Sequence, residues 1–244
     1  MSKIISIANF KGGVGKTTSV LNIGAGLHRL GRRVLLVDMD PQHNLTQSTG
    51  ADQTWSMYGA LRGEHALPTV ALRDGFDIVP TSLDLIKSEI ELAGEFKREG
   101  ILERLLKPVR DRYDFVLIDC PPSLGLLTIN AFMASDWIFV PVEAEFLALK
   151  GYAILSEAVG RIGLQIDRAF VTMYDGRKTL NREVLETLQK NLGERLFRTV
   201  VRTNVALAEA PARRLDIFSY APDSRGADDY EALCREIVGM AQTV

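Results

Sequence analysis

Thiols, histidines and surplus charge are all scarce in this sequence. Only two cysteines occur in 244 residues, Cys120 and Cys234, too far apart to read as a paired-thiol motif or a disulfide framework. That usage fits a reducing cytoplasm. The three histidines, His28, His43 and His65, lack metal-ligand spacing. No apolar run approaches the ~20 residues of a membrane helix. The opening Met1-Ser2-Lys3-Ile4-Ile5-Ser6 passes straight into a strand pattern without a signal peptide. Lys and Arg number 29 against 31 Asp and Glu, so the net charge is -2. This balance excludes a protein that coats nucleic acid by bulk electrostatics; DNA binding would need a local basic patch, completed on dimerisation. Glycine and proline are scattered, and no repeat, low-complexity tract or linker stands out. The span 1–244 therefore reads as one domain.

What the sequence does contain is a regular alternation of apolar runs and amphipathic stretches. Strands are expected at Lys3–Asn9, Arg33–Asp38, Phe76–Pro80, Phe115–Asp119, Trp137–Pro141, Ala169–Met173 and Phe197–Val201. Val34-Leu35-Leu36-Val37 and Phe115-Val116-Leu117-Ile118 are continuous apolar runs, which suit strands covered on both faces. In the last helical stretch, Tyr230, Leu233, Cys234, Ile237, Val238 and Ala241 recur at helical spacing. The pattern is that of an α/β fold: a doubly wound, mostly parallel sheet with helices on both faces. Ligands in such folds sit beyond the carboxyl ends of the strands. The polar stretch from Thr46 to Leu72 is expected to hold loops and short helices.

The first such end reads Asn9-Phe10-Lys11-Gly12-Gly13-Val14-Gly15-Lys16-Thr17-Thr18. A triphosphate needs backbone N–H groups converging on its oxygens, and glycines let the chain wrap closely enough. Lys16 supplies charge to the terminal phosphates, and the Thr17 hydroxyl can ligate Mg²⁺. Phe10 stands where the strict phosphate-loop pattern has glycine. A second end, Val37-Asp38-Met39-Asp40-Pro41-Gln42, offers a carboxylate to position water opposite a leaving oxygen. A third, Ile118-Asp119-Cys120-Pro121-Pro122-Ser123, places Asp119 beside the phosphate loop, where it can hold Mg²⁺ directly or through water. Cys120 reads as a small buried apolar residue.

Lys11 ahead of the glycines, in Lys-Gly-Gly-Val-Gly-Lys-Thr-Thr, resembles the deviant Walker motif of the ParA/MinD family. The resemblance extends in order through Asp38-Met39-Asp40-Pro41-Gln42, Asp119 to Ser123, Pro141-Val142-Glu143, Thr172 to Asp175, Leu207 to Pro211 and Ser224 to Ala227, nearly the whole chain. It implies ATP and Mg²⁺ as cofactors, slow hydrolysis of ATP, and a homodimer formed in the ATP state. It also implies non-specific DNA binding by that dimer, hence nucleoid association, and stimulation by a ParB-like protein or a cargo adaptor. The cargo would be a plasmid, a chromosome or a protein cluster. By resemblance, residues 11 to 18 cradle the nucleotide, Lys11 reaches the phosphates held by the other subunit, Asp40 orients the attacking water, and Asp38 lies near the metal with Thr17 and Asp119.

Met173 and Asn204 follow late strands and are candidates to approach adenine. Two departures blur the DNA patch: Ala206 replaces an arginine common in relatives, and Arg214-Leu215-Asp216 replaces Gly-Lys-Pro. Candidate contacts are Arg177, Lys178, Arg182, Arg202, Arg213 and Arg214. The family's short members likewise have no DNA-binding extension before the loop. Among other functions, a MinD-like membrane-associated division regulator needs a basic amphipathic C-terminal helix, whereas the stretch from Tyr230 is acidic to neutral, so no stable membrane association is expected. A cluster-carrying ATPase needs placed thiolates that the two cysteines do not provide. A synthetase that phosphorylates a small substrate shares the loop but has less use for Lys11 and Asp40-Pro41-Gln42.

Overall fold

The computed structural model describes residues 2–242; of the span 1–244, Met1, Thr243 and Val244 lie outside the described residues. Along the chain, β1 (Lys3–Ile7) leads through α1 (Lys16–Arg29) to β2 (Val34–Asp38), α2 (Asn44–Thr49), α3 (Met57–Leu61), β3 (Val70–Arg73) and β4 (Phe76–Val79). A 3₁₀ turn at Leu83–Lys87 runs into α4 (Ser88–Glu91), followed by α5 (Ile101–Leu106), β5 (Phe115–Asp119), α6 (Leu126–Met133) and β6 (Trp137–Glu143). Then come α7 (Ala148–Arg161), β7 (Arg168–Tyr174), α8 (Thr179–Leu192), β8 (Leu196–Arg202), α9 (Val205–Glu209), α10 (Ile217–Tyr220) and α11 (Arg225–Gln242).

The strands form one sheet in the order β3-β4-β2-β5-β1-β6-β7-β8, parallel except at β3. All seven expected strands are present. The eighth, β3, pairs antiparallel with β4 across Asp74-Gly75, where Gly75 adopts a φ of 73°. Asp-Gly between two short strands is itself a hairpin signal, but β3 is a half-exposed edge strand with no apolar run to draw attention to it.

Successive strand residues feed two separate cores, because side chains alternate across a sheet. Val34 and Leu36 pack with α1, α10 and α11, while Leu35 and Val37 pack on the opposite face, which α3, α5, α6, α7 and α8 cover. The α1 helix fits against its neighbours through glycine: a Cβ on Gly24 would lie 2.5 Å from Leu36 Cδ2, and one on Gly26 would lie 2.6 Å from Cys234 Sγ. Tyr230, Leu233, Cys234 and Ile237 of α11 are buried against this layer, as their spacing predicts. Carboxylates of α11 also cover outward backbone donors of the edge strand β8. Glu236 accepts from the N–H groups of Arg198 and Thr199, and Asp229 accepts from that of Arg202.

Candidate active site

β1 lies between β5 and β6, so the loop after it opens onto the crevice at the carboxyl ends of the strands, where crossovers leave in opposite directions. Gly13 and Gly15 adopt φ of 78° and 86°, left-handed values that a side chain would strain. Gly15 also begins α1, whose first N–H groups point back into the loop. Two neighbours brace the loop from behind. Asn9 donates from its amide to the Pro141 carbonyl and accepts from the Lys11 N–H, and the Thr172 hydroxyl donates to the Val14 carbonyl at 3.0 Å. Lys16 is buried, with Nζ 3.4 Å from the Lys11 carbonyl, so its ammonium folds over the loop. Burial lowers its pKa, while the charges of Asp119 and Asp40 oppose that shift.

The acidic strand ends converge on this lysine because β2, β5 and β1 are adjacent in the sheet. The Thr17 hydroxyl donates to Asp119 Oδ2 at 2.7 Å, and the other Asp119 oxygen, Oδ1, is buried with no partner. Asp38 sits opposite Asp119 in the register of β2 and β5. Its Oδ2 accepts from the Thr46 N–H at 2.9 Å and hydroxyl at 2.6 Å, and its Oδ1 from the Asp40 N–H at 3.2 Å. Of the three residues expected round a metal, Thr17 and Asp119 therefore meet, whereas both oxygens of Asp38 hold the following turn in place. Asp40 accepts the Gln42 N–H on Oδ1.

Burial raises the pKa of all three carboxyls, and for Asp119 the charges of Asp38 and Asp40 raise it further. Two buried acids beside one lysine, with Asp38 next to them, leave an excess of negative charge that a divalent cation would relieve. Among the described residues no cage of three or more His, Cys, Asp or Glu exists. A hydroxyl with one carboxylate carrying an unpartnered oxygen suits Mg²⁺, which keeps most of its shell as water and phosphate.

Lys11 lies apart from this cluster. Its Nζ is 2.7 Å from Glu143 and 2.5 Å from Glu145, on the outer side of the loop. Hydrogen bonding to Glu143, then Glu145, raises its pKa. Beyond this clasp lies a groove of about 650 Å³ bounded by Phe146, Leu147, Ile154 and Leu180.

Met173 and Asn204 emerge side by side at the ends of β7 and β8, joined through Thr203 N–H to the Tyr174 carbonyl at 3.0 Å. Met173 has a φ of 53°, and Asn204 Oδ1 caps α9. The basic candidates divide between two places. Arg177, Lys178 and Arg182 lie at the start of α8, with Arg177 held by Asp175. Arg213 and Arg214 lie between α9 and α10, and Arg214 packs beside Gly50. Arg202 is clasped by Asp229 along the inner side of α11, so it is not a free cation. Glu145 and the side chain of Thr46 escaped sequence reasoning, and Glu143 and Thr172 entered it only as parts of stretches. The charge of Glu143, directly after Val140-Pro141-Val142, was a usable signal; no local pattern marks the two threonines.

Residues 2–172 match a family model described as an AAA domain. The chain is 42% identical over 248 residues to the chromosome-partitioning ATPase Soj of Treponema pallidum, covering 98% of each. It is 37% identical over 250 residues to the chromosome partitioning protein ParA of Caulobacter vibrioides, covering 97% of this chain and 94% of that one. It also resembles the crystal structure of cobyrinic acid a,c-diamide synthase from Mycobacterium smegmatis with bound ADP and magnesium. There the TM-score is 0.84 and the identity 32%, with 98% of this chain and 94% of the other covered.

Proposed function

Because this chain belongs to the ParA-type chromosome-partitioning ATPases, we propose that it is an ATP-gated switch, closing with a second copy around ATP and binding DNA without sequence preference in that state. Hydrolysis, stimulated by a ParB-like or cargo-adaptor partner, then separates the two copies. The chain is an ATPase, and its cofactors are ATP and Mg²⁺. The N–H groups of Gly12, Gly13, Val14, Gly15, Lys16, Thr17 and Thr18, with the Lys16 ammonium, hold the phosphates. Thr17 and Asp119 hold Mg²⁺, which neutralises charge on the phosphate oxygens when bound. Asp40 keeps Oδ2 available to accept a hydrogen bond from water, and the Asp38–Thr46 bonds fix the turn that aims it. Met173 and Asn204 border the base.

The observation that carries the switch is the placement of the two loop lysines. Lys16 is buried over its own loop, whereas Lys11 is exposed on the far side, beside the exposed Phe146 and Leu147. A cation at that position serves phosphates brought by another molecule better than its own, the logic of charge supplied in trans to phosphoryl transfer.

Sizing by light scattering, combined with a mobility assay on random duplex DNA, tests the reading. Wild type should be monomeric and bind DNA poorly with ADP. Asp40→Ala with ATP should be a trapped dimer that binds DNA, with an affinity that falls steeply as salt rises. Equal DNA affinity with ADP, with ATP and in the trapped variant would defeat the gating. ATP turnover without any added small-molecule acceptor separates this switch from a synthetase.

A further inference from the structure

Asn181 is buried in the first turn of α8, whose N-cap is Lys178. A polar side chain at that helical position ordinarily folds back to cap its own helix. Asn181 instead reaches two other segments. Its Oδ1 accepts from the Asp175 N–H at 2.8 Å, and its Nδ2 donates to the Ala144 carbonyl at 2.6 Å. Asp175 directly follows β7, and Ala144 directly follows β6.

Ala144 stands between Glu143 and Glu145, the two carboxylates that clasp Lys11. Its peptide groups are held from both sides. The Ala144 N–H donates to the Thr172 carbonyl of β7 at 3.4 Å, and its carbonyl accepts from Asn181. The turn is tight, with the Glu145 N–H donating to the Glu143 carbonyl at 2.8 Å. Hydrogen bonding to Lys11 lowers the Glu145 pKa, and the charge of Lys178 at the start of α8 adds to that. Two carboxylates gathered on one ammonium repel each other, so a turn free to relax would part them. Asn181 is the side chain that ties this turn to α8 and opposes that relaxation.

We propose that Asn181 is a positioning residue for Lys11. By fixing the Glu143–Glu145 turn it keeps the lysine in a clasp that the ATP-state dimer must open, and so sets how readily a second copy is engaged. This rests on the role in trans proposed above for Lys11. Without the bond to Ala144 the carboxylates part, Lys11 is released and dimerisation is favoured. Two clasps open per dimer, and exposed ion pairs of this kind each contribute less than a tenfold factor. The dimer dissociation constant should therefore fall roughly three- to thirtyfold.

Two variants separate the bonds. Asn181→Asp keeps the acceptor for Asp175 and loses the donation to Ala144, whereas Asn181→Ala loses both and brings no new charge near Lys11. In the nucleotide-free monomer, acylation of Lys11 by an N-hydroxysuccinimide ester, read by mass spectrometry, should be at least about threefold faster in both. Hydrogen bonding to Glu143, then Glu145, holds the Lys11 proton in place, and the released amine is the nucleophile. With a non-hydrolysable ATP analogue, light scattering over a dilution series should show the tighter dimer. Glu143→Gln/Glu145→Gln should tighten it by a similar factor, and adding Asn181→Asp to that pair should change little more, because all three act through one clasp. Unchanged acylation, or full additivity of the Asn181 and glutamate substitutions, overturns the positioning role. So does a glutamine pair that dimerises no more readily than wild type, a result independent of whether the Asn181 variants fold. Failure of the underlying dimer reading shows separately, as wild type that stays monomeric with the analogue while acylation still distinguishes the variants.

Discussion

Asp119 carries the sharpest conflict between folding and function at the residue scale. One of its oxygens is buried without a partner, and the other is satisfied by Thr17. Such a group costs about 1–3 kcal/mol in the empty protein. An amide would be tolerated better, because its oxygen can accept from Thr17 and it carries no charge. Asp119→Asn is therefore expected to raise the melting temperature of the nucleotide-free protein at pH 8, by ~2–4 °C for each kcal/mol relieved. It should also lose the stabilisation that Mg²⁺ with ATP confers on wild type. The pH dependence follows from the raised pKa. A carboxyl that binds its proton more tightly folded than unfolded stabilises the fold at low pH; that stability is lost as pH rises from the unfolded value of 3.8 through the raised folded one. Melting temperature without ligand should fall between pH 5.5 and pH 8 in wild type, and fall less in Asp119→Asn. Asp38 and Asp40 are raised in the same sense and keep part of the slope. A variant less stable than wild type at pH 8 would remove the conflict and with it the argument for the empty oxygen as a metal ligand.

α1 shows at the element scale how closely the phosphate loop depends on packing behind it. Gly24 lets the helix lie on Leu36, Phe76 and Leu117, and Gly26 lets Cys234 and Phe218 approach from the other side. Gly24→Val should cost about 1–3 kcal/mol through overpacking, measured as a lower denaturation midpoint. A shift toward greater stability would mean that Leu36 yields easily. Elements of this central kind were legible in the sequence: β2 and β5 as unbroken apolar runs, the loop by its glycines, and Asp40 and Asp119 as carboxylates ending such runs. The edge was not. β3 alternates between half-buried and exposed residues, and only its Asp-Gly turn marks it. Nor were contacts made by residues distant in the chain legible. Lys11 meets Glu143 and Glu145 more than a hundred positions away, and Thr81 meets Thr46 across two strands, because the sheet order rather than local spacing brings them together.

At the scale of the whole molecule, the net charge of -2 and the division of the basic candidates between two places would make a lone subunit a poor DNA ligand. The DNA affinity proposed for the ATP state would come from doubling a weak patch. In the proposed switch, Lys11 would govern whether that doubling occurs. Its ion pairs with Glu143 and Glu145 are exposed and screened by salt, so they can be exchanged for phosphate at modest cost. Lys11→Ala should still bind nucleotide in calorimetry but remain monomeric in light scattering with ATP. A dimer of unchanged affinity would reduce Lys11 to a solvated loop residue.

The carboxylates that α11 lays along β8 limit how such molecules can assemble. An uncovered strand invites another strand, and each addition renews the invitation, so edge-to-edge pairing polymerises without end. Here Glu236 and Asp229 already occupy the outward donors of Arg198, Thr199 and Arg202. In the proposed ATP-state dimer, a two-fold contact through the loops at the strand ends would use up its own surface and close at a pair. The helix that packs on β8 thus also closes that edge to strand addition.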